Sequence, residues 1–152
     1  MPALIPSVQP DAGISAVAHA IQLAVAPVFL LSGVGALLAV LTSRLARVID
    51  RSRALDTQLA TASPDATAVR GQLQTLSRRA KLISRAIALC TVTALLVCAV
   101  IATLFLGAFA RFDVSVPVAL LFVAAMIALF VGLLAFLREI FLATATLRIG
   151  PQ

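Results

Sequence analysis

Residues 12–43 read AGISAVAHAIQLAVAPVFLLSGVGALLAVLTS, thirty-two positions without one charged side chain. About 20 apolar residues suffice to cross the hydrocarbon of a bilayer as a helix. Two more uncharged stretches follow, at residues 86–110 and 114–137. Backbone groups in lipid must be satisfied within the structure, which leaves helices or closed barrels. A barrel strand alternates over segments of about 10 residues. These runs are instead continuous Leu, Ala, Val, Ile and Phe, so they read as three transmembrane helices. The composition agrees: 62% of the 152 residues are hydrophobic and 12% charged, against about 25% charged in an ordinary globular domain. Mean hydropathy is +1.11.

The first stretch would measure about 48 Å as one helix, longer than the roughly 30 Å hydrocarbon core. Pro27 removes a helix hydrogen bond and crowds the preceding turn, so a break is expected there. Residues 11–26 then form an outer amphipathic helix with Asp11 as its N-cap. Ser15, His19 and Gln22 share its polar face. That helix either lies in the interface or lines a protein-filled or watery space. Span one occupies residues 27–43. In it Ser32, Ala36, Ala39 and Ser43 recur at spacings of four, three and four, with Gly33 and Gly35 beside them. Small faces let backbones approach closely in lipid. With Pro27, these residues are the helix-packing or pore-lining candidates.

Residues 44–85 differ from everything around them. They hold nine basic and three acidic residues, a net +6 that equals the charge of the whole chain. They also carry apolar heptads. Leu41, Leu45, Val48, Ser52, Leu55 and Leu59 alternate steps of four and three, as do Val69, Leu73, Leu76, Ala80, Ile83 and Ile87. Between them TASPDAT supplies a turn, with Ser63 as N-cap and Pro64 at the first helical position. Both series run into the neighbouring spans without a breaker. The fold class is therefore all-α: three transmembrane helices and a cytoplasmic antiparallel helical hairpin, coiled-coil-like and continuous with helices one and two. Pairing Leu59 with Val69, Leu55 with Leu73 and Leu45 with Ile83 sets Asp56 beside Arg70. It also sets Arg51 beside Arg79, a like-charge meeting that means a wrong register or an anion or partner there.

Short loops rich in Lys and Arg stay cytoplasmic. The hairpin is then inside, the link 111–117 outside, the N-terminus outside, and the tail 138–152 inside. The whole chain, 1–152, is one membrane domain, with span two at 86–110 and span three at 114–137. The start, MPALIPSVQPDAG, lacks the basic region of a secretory signal peptide, so span one is expected to stay as an anchor. Eleven Arg to one Lys, with heavy Ala use, suggests a bacterial source and the inner (plasma) membrane.

Few residues carry chemistry. One His, one Glu, no Tyr and no Trp leave no catalytic constellation, and GxSxG, HExxH, P-loop and GxGxxG patterns are absent. The reading is not an enzyme, with no cofactor and no metal site. Cys90 and Cys98 sit about 12 Å apart along a helix, too far for a disulfide, and read as small packing residues. Glu139, in the pair Arg138–Glu139 that ends span three, lies at the depth of Arg44 and Arg47; an ion pair with one of them is expected. Arg78, Arg79, Lys81 and Arg85 are candidates for anionic lipid headgroups. No aromatic residue interleaves with these charges, so nucleic acid is not a partner.

The run IQLAVAPVFLLSGVGALLAVLTSRLARVIDRSRAL, from Ile21 to Leu55, resembles the domain of unknown function 2721 family of bacterial membrane proteins. APVFLLSGVG, RLARVIDR and the later FLREI at Phe136–Ile140 occur in that family's order. The likeness covers residues 14 to 148. It implies a shared membrane topology and no particular activity.

The function expected is a non-catalytic membrane component. It self-associates, or holds a protein partner, through its hairpin and the small face of span one. The alternative is an oligomeric ion channel lined by span one.

Overall fold

The computed structural model describes residues 11–60, 66–110 and 113–145. They form three helices: α1 (Asp11–Ala60), α2 (Ala66–Ala110) and α3 (Ser115–Ala145). All three are long and apolar enough to cross a membrane, and by that measure the chain is a multi-pass membrane protein. At 1.5 Å per residue, the 50 residues of α1 and 45 of α2 measure about 75 and 68 Å. Either helix therefore outreaches the roughly 30 Å of hydrocarbon. α3 has 31 residues, about 46 Å. The helix goes on through residues 138–145, which the sequence assigned to the tail.

α2 is the centre. α1 packs along it and α3 packs along it, while the backbones of α1 and α3 stay apart. The packing follows a seven-residue rhythm. On α1, Ala20, Pro27, Val34, Leu41, Val48 and Leu55 are all buried. On α2 two such rows run side by side: Leu76, Ile83, Cys90 and Val97, and Ala86, Thr93, Val100 and Gly107. On α3 the row is Ala125, Gly132 and Glu139. A period of seven keeps one stripe of a helix on its neighbour over many turns, so long helices stay in contact from end to end. The predicted heptad residues Leu45, Val69, Leu73, Ala80 and Ile87 pack against the same core.

The break expected at Pro27 does not occur. Pro27 lies inside the unbroken α1 and faces the packed side. In lipid no water stands ready to take over freed backbone groups, so ending the helix costs more than losing one hydrogen bond. The outer helix and span one are one element. Neither Cys forms a disulfide. Cys90 is packed between helices, but Cys98 is exposed on α2, so its reading as a packing residue is corrected. Asp56 and Arg70 make no ion pair among the described residues. The expected cap of Asp11, the contact of Leu59, the turn at Ser63 and Pro64, and Arg111 and Arg148 lie outside what the structure describes.

α2 and α3 meet closely at Gly132. A Cβ built there would stand 3.2 Å from the Cβ of Leu89 and 3.7 Å from both the Ala86 carbonyl oxygen and Cys90 Sγ. Nearby the Thr93 hydroxyl, fully buried, donates to the Leu89 carbonyl at 2.9 Å and faces the Ala125 carbonyl at 3.4 Å. At the far end the chain turns from α2 into α3 with Gly107 against Val114, where any side chain would collide. Asp113 fastens the start of α3: it accepts from the Ser115 hydroxyl at 2.6 Å and the Ser115 backbone N–H at 3.0 Å. Those two bonds hold its carboxyl below the usual range.

Candidate functional site

The polar centre of the molecule is Glu139. Its side chain is 1% exposed. A carboxylate so placed is costly unless paired and hydrogen-bonded, and here it is both. The row that buries Ala125 and Gly132 carries Glu139 one heptad further, onto α2 at the end of the uncharged stretch. Arg44 of α1 reaches it from one side, Nη1 to Oε2 at 3.3 Å. Arg79 of α2 reaches it from the other, Nη2 at 2.9 Å and Nε at 3.3 Å from Oε1. One carboxylate thus bridges all three helices. The Arg44 guanidinium also lies over the Phe136 ring, 5.2 Å from its centroid, a cation–π contact.

Of the two candidate partners the sequence offered, the structure brings Arg44 to Glu139 and leaves Arg47 out. Arg47 donates to the Ser43 hydroxyl at 3.2 Å instead. Three residues of helix turn the chain about 60° short of a full circle, enough to aim Arg47 past the carboxylate. Arg79 is the partner that sequence reasoning missed. It was grouped with Arg78, Lys81 and Arg85 as facing lipid headgroups; those three are exposed, whereas Arg79 turns inward. The heptad contained the signal: Arg79 stands one residue before Ala80, at the edge of the seam.

Beyond Glu139 the hairpin opens into a cleft of about 800 Å³. Arg44, Arg47 and Arg51 line it from α1, and Gly71, Thr75 and Arg79 from α2. Arg51 and Arg79, whose meeting the heptad register foretold, do share this space. Arg51 is exposed and has no hydrogen bond or ion pair among the described residues.

A second cleft, about 440 Å³, lies at the opposite end, between α1 and the α2–α3 turn. His19, Leu23, Leu104, Gly107 and Asp113 help to line it. Of the expected polar face, His19 borders this hollow while Ser15 and Gln22 do not.

The small face of span one is open. Ser32, Gly33, Gly35, Ala36, Ala39 and Ser43 are all exposed, and nothing lies within 4 Å of a Cβ built at Gly33 or Gly35. At 100° per residue, Ser32, Ala36, Ala39 and Ser43 fall nearly opposite Val34, the residue that meets α2. Of the packing candidates on this helix, Pro27 alone belongs to the intramolecular seam.

No curated protein and no solved structure matches the chain. A family model does, over residues 24–149. That range holds span one, both arms of the hairpin and Glu139, and so the chain belongs to the family described as Protein of unknown function (DUF2721).

Proposed function

We propose that the chain is a non-catalytic component of the bacterial inner membrane that associates with further copies of itself through the exposed small face of α1. The open face carries this reading. A polar or small stripe on a lipid-facing helix is otherwise a poor use of surface, since apolar side chains gain little from one another in lipid and close backbone packing decides association. Ser32 returns its hydroxyl to the Val28 carbonyl at 3.5 Å, so the stripe presents no unsatisfied donor there. Within the chain, α1 spends its other side on α2. The hairpin extends the same helices beyond the bilayer as a coiled-coil-like arm that a protein partner could grip, and Arg78, Lys81 and Arg85 at its base suit anionic headgroups.

Gly35→Leu tests the interface. It should shift the protein to smaller species in native mass spectrometry while its melting temperature as a single subunit holds. A wild-type protein that flies as a monomer at every concentration would end the proposal. The pore alternative uses the same face, turned toward an axis. Ion flux through liposomes holding the purified protein, abolished by Gly35→Leu, would replace the scaffold reading with that one.

The charge bias places the N-terminus outside and the C-terminus inside. In a cysteine-free variant, a single cysteine at position 5 should react with an impermeant maleimide on intact cells, and one at position 150 should not. Labelling at position 150 reverses the topology.

A further inference from the structure

We propose that the cleft between the two arms of the hairpin binds a phosphate group. Four arginines line it, and the sole carboxylate among its lining residues is Glu139. That carboxylate is already occupied by Arg44 and Arg79. Three positive charges are therefore unmatched in a space bounded by protein. Arg51 has no partner among the described residues, and Arg47 has only the Ser43 hydroxyl. Guanidinium forks fit phosphate oxygens with paired hydrogen bonds.

The floor is cleared for such a guest. On α2 three of the lining residues, Ala68, Gly71 and Thr75, are small, and Gln72 and Leu76 stand beside them. Nothing approaches within 4 Å of a Cβ at Gly71. Position also favours phosphate. The cleft starts at Glu139 and Arg44, where the uncharged stretches end. From Arg44 to Arg51 it runs outward about 10 Å. The headgroup layer adds roughly 5–8 Å to each side of the hydrocarbon, so the inner end of the cleft lies at the depth of lipid phosphates and the outer end opens to water. Basic pockets at this level hold anionic headgroups. The ligand is thus a phosphate carried by a lipid or one arriving from solution. It is held by Arg47 and Arg51, with Arg79 turned partly toward it. This site is separate from the exposed Arg78, Lys81 and Arg85, and it does not depend on self-association.

The test compares three proteins: the wild type, Arg47→Gln/Arg51→Gln, and Arg53→Gln/Arg70→Gln, which loses the same charge at exposed positions outside the cleft. Native mass spectrometry counts bound phosphatidylglycerol against phosphatidylcholine, and inorganic phosphate and pyrophosphate are titrated as soluble probes. Losing a charged hydrogen-bonding partner should weaken binding about tenfold per guanidinium, so the cleft variant should fall by one to two orders of magnitude. The control should stay within about twofold, and both variants should melt with the wild type. Phosphatidylglycerol retained against excess phosphate identifies a lipid headgroup; displacement by phosphate or pyrophosphate identifies a soluble ligand. Equal losses in both variants would show surface charge alone and overturn the site, as would no loss in either. Arg51→Lys should recover part of the affinity but not all, because the ammonium keeps the charge without the fork.

Discussion

Replacing Glu139 by glutamine should destabilise the protein by about 2–4 kcal/mol, placed between the 3–5 kcal/mol of a broken buried pair and the 0–1 kcal/mol of an exposed one. The carboxylate side is fully buried, at 1% exposure, while the Arg44 and Arg79 side chains remain 40% and 26% exposed. The arginines left behind retain some access to water, which keeps the loss below the buried limit. Double-mutant cycles in mixed micelles should apportion it. Glu139→Gln should couple with Arg44→Gln and with Arg79→Gln by about 1–2 kcal/mol each, and within error not at all with Arg47→Gln. Coupling to Arg47 in place of Arg44 or Arg79 would mean the three helices are tied differently. A further variant separates attraction from packing. Replacing a whole buried ionic cluster by apolar residues of similar volume is often neutral or stabilising. Glu139→Leu combined with Arg44→Met and Arg79→Met should thus regain most of what Glu139→Gln loses.

That triad shows how far the sequence could be read. Glu139 and Arg44 were legible together because the uncharged stretches end at residues 43 and 137, which puts both at one depth. The choice of Arg44 over Arg47 was not, since both satisfy depth and the difference is a rotation about α1. Arg79 was obscured by its neighbours. Four basic residues in eight positions read as one surface patch, although a helix of that length points them in different directions. The like-charge meeting of Arg51 and Arg79 left a wrong register and a bound anion or partner both open; the structure places both side chains on one cleft.

The seams themselves were legible only where water contrasts with core. In residues 44–85, Val48 and Leu55 stand out against charged neighbours, so their period can be seen. Inside the spans both faces are apolar and the contrast vanishes. There the rows continue through Ala20, Pro27 and Val34 on α1 and through Ala125 and Gly132 on α3, with no polar contrast to mark them. Span one carries its small residues on one side and Pro27, Val34 and Leu41 on the other, and the sequence alone does not say which side faces its own chain.

Gly132→Leu should be strongly damaging to the packing of α3 on α2. The α2–α3 contact depends on a missing side chain: a Cβ there already lies 3.2 Å from Leu89 Cβ, tighter than van der Waals contact. Alanine needs a shift of a few tenths of an ångström and should cost about 1 kcal/mol, at the low end for overpacking. Leucine adds three more carbons into the Ala86, Leu89 and Cys90 surface, with buried backbone on the far side. α3 must then slide or tilt away, and overpacking of this size costs about 3 kcal/mol or more. Moving α3 also draws Glu139, seven residues along the same row, away from Arg79. Part of the loss is therefore electrostatic, and the effects of Gly132→Leu and Glu139→Gln should fall short of adding. Gly35→Leu, an equal change at a position with nothing within 4 Å, should leave subunit stability within about 0.5 kcal/mol, as for surface substitutions. Unfolding both variants in mixed micelles reads the contrast directly. Equal costs at the two positions would mean that α3 does not dock on α2 through Gly132.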